Sequence, residues 1–74
     1  MMYAKVIVGL NQPEMDKLFD YRIPEGMTVE IGVRVIVPFG SRNKKTEGYV
    51  ISLSEKTEVP ADKIKELLEV LDEG

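Results

Sequence analysis

The sequence predicts a mainly β domain, a small antiparallel sheet curled toward a barrel, and three observations carry that expectation. Short runs rich in β-branched residues alternate apolar with polar positions. Gly and Pro interrupt those runs at strand-length intervals. Only one stretch, near the C-terminal end, has helical spacing, and it keeps an α+β arrangement open.

The first strand is expected over Tyr3–Leu10, where Ala4, Val6 and Val8 alternate against Tyr3, Lys5 and Ile7. A period of two places one set inside and the other outside. Asn11 to Lys17 is polar and holds Pro13, so it reads as a loop. Leu18–Ile23 forms a second strand, stopped by Pro24, which has no N–H for a ladder. Pro24-Glu25-Gly26 is a turn: proline presets φ and glycine tolerates a positive one.

Gly32 opens a third strand over Val33–Val37, with the valines on one face and Arg34 on the other; Pro38-Phe39-Gly40 ends it. Ser41–Glu47 reads as a hairpin loop, and Gly48 leads into a return strand over Tyr49–Leu53. The tail supports two readings. Ile64, Leu67, Leu68 and Leu71 fall at helical spacing behind Pro60. Residues 67–71 also alternate as a strand.

A chain of 74 residues is one small domain (residues 1–74), near the lower limit for an independent core. Its 43% hydrophobic and 31% charged content suits a soluble globular fold. No apolar run approaches the roughly 20 residues of a membrane span, so no membrane contact is expected. With no Cys and no His, disulfides, thiolate sites and imidazole ligands are excluded, and no metal site is expected. This composition is compatible with a cytoplasmic protein.

Charge is uneven. Residues 1–46 carry seven Lys/Arg against five Asp/Glu, whereas residues 47–74 carry three against eight. A net charge of −3 does not supply the broad basic footprint of backbone-driven nucleic-acid binding. Any such binding must rest on local contacts, and the acid-free stretch holding Arg34, Arg42, Lys44 and Lys45 offers auxiliary ones. Nothing resembles a nucleophile–base pair or a phosphate-binding glycine loop, so this piece is not expected to be an enzyme.

Asp20, between Phe19 and Tyr21, is the first candidate for a site. On a regular strand the two aromatics share one face and Asp20 takes the other. The simplest arrangement from the triplet alone buries the aromatics and solvates the carboxylate. Alternatively, the carboxylate is a pure acceptor able to take a hydrogen bond from a ligand hydroxyl. Gly40 alone reads as a turn glycine and Lys65 as a solvated cation. Phe39 and Tyr49 are core residues by default, or stacking surfaces for bases.

Taken together, Phe19-Asp20-Tyr21-Arg22-Ile23-Pro24-Glu25-Gly26, Gly32-Val33-Arg34-Val35-Ile36-Val37-Pro38-Phe39-Gly40, Gly48-Tyr49-Val50, Lys63-Ile64-Lys65 and Leu71-Asp72 resemble the N-terminal DNA-binding domain of the bacterial primosomal replication-restart helicases. The resemblance covers nearly the whole chain and favours a short helical turn at Pro60–Ile64, followed by a strand rejoining the sheet. It implies a module that recognises the 3′-OH end of a nascent leading strand at a stalled fork. Phe19, Asp20, Gly40 and Lys65 match the family's pocket, with Asp20 as acceptor for the 3′-hydroxyl.

The resemblance further implies a piece of a larger ATP-dependent 3′→5′ helicase acting in primosome assembly and replication restart. ATP, Mg and Zn would belong to that protein's other regions. Partners would be branched DNA, the remaining helicase domains in cis, other primosome proteins and single-stranded-DNA-binding protein. The rival reading is a small β-barrel protein-interaction module whose aromatics are simply core. A carboxylate hydrolase is weaker, because Asp20 has no evident catalytic partner.

Overall fold

A computed structural model describes residues 1–8 and 17–71. Six strands follow in chain order: β1 (Tyr3–Val8), β2 (Lys17–Arg22), β3 (Arg34–Phe39), β4 (Lys44–Ser54), β5 (Lys65–Glu66) and β6 (Glu69–Val70). They form one sheet in the order β5-β2-β1-β4-β3-β6. No helix occurs among the described residues. The loop expected over Asn11–Lys17 lies outside them except for Lys17, which begins β2.

β1 sits at the centre of the sheet because its alternation is cleanest: Ala4, Val6 and Val8 are all buried, and both its edges are paired. Val35 and Val37 of β3, Val50 of β4, Tyr21 of β2 and Leu67 complete the core. The β4 strand stays in step with it through a bulge. Lys5 faces Ser52 while Val6 faces Val50, so Ile51 is an extra residue in the ladder. That extra residue turns Ile51 outward and returns Leu53 to the core side, opposite Ala4.

The hairpin joining β3 to β4 is tighter than the sequence suggests. Gly40 and Asn43 adopt positive φ angles of 78° and 52°, and the Asn43 N–H donates to the Gly40 carbonyl. Phe39 therefore pairs directly with Lys44. Lys44 and Lys45, expected in a loop, lie instead on β4. Pro38 sits within β3 where, among the described residues, the strand's other side has no ladder partner, since β6 pairs with Val35 and Ile36.

The C-terminal ambiguity resolves as strand. Pro60 accepts from the N–H groups of Lys63 and Ile64, making a single helical turn over the expected residues 60–64. The chain then lays β5 along β2 and, two residues later, β6 along β3. One continuous segment thus reaches both edges of the curled sheet. Leu67, 2% exposed, plugs the interior while its N–H donates to the Arg22 carbonyl; the next N–H, of Leu68, donates to Ile36. The helical spacing of these leucines is coincidental: the kinked crossover buries Leu67 and leaves its neighbour Leu68 exposed. The β2–β5 pair is parallel, a departure from the expected all-antiparallel sheet, because the segment approaches β2 from the same end.

Tyr21 shows how burial and a hydrogen bond combine at this seam. Its ring is 4% exposed and its hydroxyl donates to the Pro38 carbonyl at 3.1 Å. Burial pushes the phenol from 10.0 up to about 12. A raised folded-state value means the neutral form is favoured by folding, so its stabilisation is complete below pH about 10. It fades as the pH rises toward about 12. Denaturant titrations of the wild type and Tyr21→Phe should show a stability difference that shrinks across that window. A pH-independent difference would contradict this account of Tyr21.

A candidate DNA-end cleft at the sheet seam

β2 and β3 are not ladder partners, yet the curl of the sheet brings them face to face. Two contacts join them directly, and a third closes the same seam from β5. Phe19 and Phe39 meet edge to face, with ring centroids 5.1 Å apart and planes at 79°. Tyr21 reaches Pro38. Lys65, paired beside Tyr21 on β5, donates its Nζ to the Gly40 carbonyl at 2.7 Å.

Where the seam is not closed by backbone ladders it opens as a cleft of about 460 Å³. Asp20, Phe19, Gly40 and Lys65 all line it, joined by Tyr21, Phe39 and Lys63. The four residues singled out by resemblance thus come together from β2, the β3–β4 turn and β5. β5 covers only Tyr21 and Arg22, so among the described residues the Leu18–Asp20 edge of β2 has no partner on that side. The cleft wraps this edge, which explains how Asp20, on the opposite face from Phe19 and Tyr21, reaches the same space.

Each wall has a distinct chemistry. Gly40 has open space where a Cβ would stand, but its φ of 78° disfavours any side chain there. Lys65 uses one of three ammonium donors on Gly40 and retains two. The Phe19–Phe39 pair presents aromatic edges and faces suited to a base.

Asp20 is the most constrained polar group here. Its side chain is only 17% exposed. Thr57 Oγ1 donates to its Oδ2 at 2.6 Å, and Lys5 Nζ stands 3.5 Å from its Oδ1. Neither partner was expected from sequence. Lys5 faces Asp20 across the β1–β2 ladder, so the hairpin register, had it been known, would have found it. Thr57 is 37 residues away on an irregular loop, and no spacing rule connects the two. Lys63, though part of the Lys63-Ile64-Lys65 run, was not singled out for the site because a lysine among acidic neighbours carries no pattern of its own.

Arg42, Lys44 and Lys45 do not line the cleft. All three are exposed, Arg42 in the β3–β4 turn and the lysines at the start of β4.

Fold and cleft together define a small β-barrel-like domain with a mixed aromatic, carboxylate and ammonium binding cleft. The chain belongs to the family described as 3′DNA-binding domain (3′BD), whose match runs over residues 5–74. It is 38% identical over 74 residues to the replication restart protein PriA of Bacillus subtilis, covering 97% of this chain and 9% of that protein. With PriA of Haemophilus influenzae it shares 42% identity over 67 residues, 90% of this chain and 9% of the relative. PriA of Synechocystis is 36% identical over 74 residues, 97% of this chain and 8% of the relative. The chain therefore spans about a tenth or less of the length of these proteins.

Proposed function

We propose that this chain is a DNA-binding module that recognises the 3′-OH end of a nascent leading strand at a stalled replication fork. The observation that carries the reading is the convergence of Phe19, Asp20, Gly40 and Lys65 on one cleft. Asp20 accepts the terminal hydroxyl, and a 3′-phosphate at the same place is repelled by its charge. Lys65, with Lys63 beside it, neutralises the phosphodiester next to the terminal nucleotide. Phe19 and Phe39 pack on the base without reading its edge, so recognition is independent of sequence.

In this reading the module is the front of an ATP-dependent 3′→5′ helicase that reopens arrested forks for primosome assembly. Binding the end orients the motor, whose ATP, Mg and Zn requirements belong to other regions. The remaining helicase domains act in cis, with other primosome proteins and single-stranded-DNA-binding protein as partners in the cytoplasm. The chain itself contributes no chemistry beyond binding.

Fluorescence anisotropy of the chain with matched oligonucleotides ending in 3′-OH or 3′-phosphate tests this directly. The hydroxyl end should bind about tenfold or more tightly, in line with one hydrogen bond to a charged group. Absence of binding to either would favour a protein-interaction module. Salt adds a second readout. Of the three lysines lining the cleft, Lys5 is paired with Asp20, and Lys63 and Lys65 neutralise about two phosphates at about 0.7 each, a log–log slope of roughly −1 to −2. A slope of about −5 or steeper would mean a wide basic surface elsewhere on the domain.

A further inference from the structure

We propose that Thr57 is a positioning residue for end recognition, holding the Asp20 carboxylate in the one orientation that leaves an acceptor facing the cleft. The inference rests on the reading that Asp20 accepts the terminal hydroxyl.

A carboxylate has two oxygens with about four acceptor positions between them, and rotation about its terminal bond is soft. Left alone, Asp20 would spread those positions over many orientations. Thr57 prevents this. Its contact with Oδ2, at 2.6 Å, lies in the short range of a hydroxyl bonded to a charged acceptor. The direction of the proton is fixed by a second bond: the Val59 N–H donates to Thr57 Oγ1 at 3.2 Å. With that oxygen already accepting, its own proton is directed to Asp20.

Oδ1 is left in a different state. Lys5 stands 3.5 Å from it, longer than a well-formed hydrogen bond, and Lys5 is 46% exposed. Among the described residues, Oδ1 therefore feels a cation without having its acceptor positions filled. One oxygen is committed to the protein and the other remains available to a ligand hydroxyl.

The same loop supplies other parts of the cleft. Glu58, Val59 and Lys63 line it, and all follow Thr57 between β4 and β5. The Thr57–Asp20 bond buckles this loop onto β2, 37 residues away, so it aligns the carboxylate with the wall that holds the lysines.

The test measures anisotropy with oligonucleotides ending in 3′-OH or in 3′-hydrogen (a dideoxy end), which differ only in the recognised group. Thr57→Ala and Thr57→Val should each reduce the 3′-OH preference by about threefold to tenfold, the range of one neutral-to-charged contact acting indirectly. Thr57→Ser keeps the hydroxyl and should retain the wild-type preference. Should Thr57→Val fail to fold, Thr57→Ala carries the same comparison without an added methyl. An unchanged preference in Thr57→Ala would overturn the proposal. So would an equal loss in Thr57→Ser, which would mean that the side chain acts through packing. Asp20→Asn measured alongside separates the two levels. If it loses the preference while Thr57→Ala does not, only the role of Thr57 falls; if it too keeps the preference, the reading of Asp20 falls first.

Discussion

Asp20→Asn is expected to weaken binding to a 3′-OH end by about tenfold or more while leaving the fold intact. The substitution preserves shape, so the Thr57 hydroxyl can still donate to the remaining carbonyl oxygen. What changes is the oxygen facing Lys5: it becomes an amide group with protons and no charge. A hydrogen bond to a charged group contributes about 1.5–3 kcal/mol, and that contribution is lost only for ends that carry the hydroxyl. Ends carrying a 3′-phosphate should bind the variant as well as the wild type or better, since the repelling charge is gone. The ion pair with Lys5 is half-exposed, so its removal adds little to stability. Thermal melts of the two proteins should therefore nearly coincide.

Gly48→Ala is expected to produce the largest loss of stability of any single methyl addition in the described chain. Gly48 is buried on β4 between Val8 of β1 and Val35 of β3. A Cβ placed there would stand 2.6 Å from Val6 Cγ1 and 2.7 Å from the Ile7 carbonyl oxygen. Neither neighbour can yield cheaply. Val6 is fully buried, and the Ile7 carbonyl belongs to the backbone of the central strand. Overpacking costs about 1–3 kcal/mol, and a shift of backbone puts this site at the upper end of that range. A domain of this size has total stability of only about 5 kcal/mol, so the variant should lose a large fraction of it and melt well below the wild type. Urea titration followed by circular dichroism checks this. An unfolding free energy within about 0.5 kcal/mol of wild type would contradict this packing.

The parts of the fold that sequence made visible are those with many residues under one repeating constraint. Ala4, Val6 and Val8 announce β1, and Val35 and Val37 announce β3, because a two-sided strand leaves a period of two in the chain. The bulge at Ile51 breaks that period and was invisible for the same reason: one extra residue looks like noise until the partner strand is known. β5 and β6 are two residues each, too short to show any period, so residues 64–71 fitted helix and strand equally well.

The candidate site divides along similar lines. Asp20 stood out through its place between two aromatics, whereas Phe19, Gly40 and Lys65 were reached only through the family resemblance, not through any local rule. Periodicity placed Asp20 opposite Phe19, which is correct, but it could not show that β5 pairs with Tyr21 and Arg22 and stops short of Asp20. Thr57 and Lys5 owe their place to tertiary folding alone. Polar residues gain a role from what stands across from them, and a linear sequence holds no record of that.

The most direct test is a thermodynamic cycle between Asp20 and the strand end. Affinities of the wild type and Asp20→Asn are measured for one oligonucleotide ending in either 3′-OH or 3′-hydrogen. If the carboxylate accepts the terminal hydroxyl, the wild type prefers the hydroxyl end by about tenfold or more and the variant shows almost no preference. An equal preference in both proteins would mean that the terminal hydroxyl is recognised by another group, or is not recognised in this cleft at all.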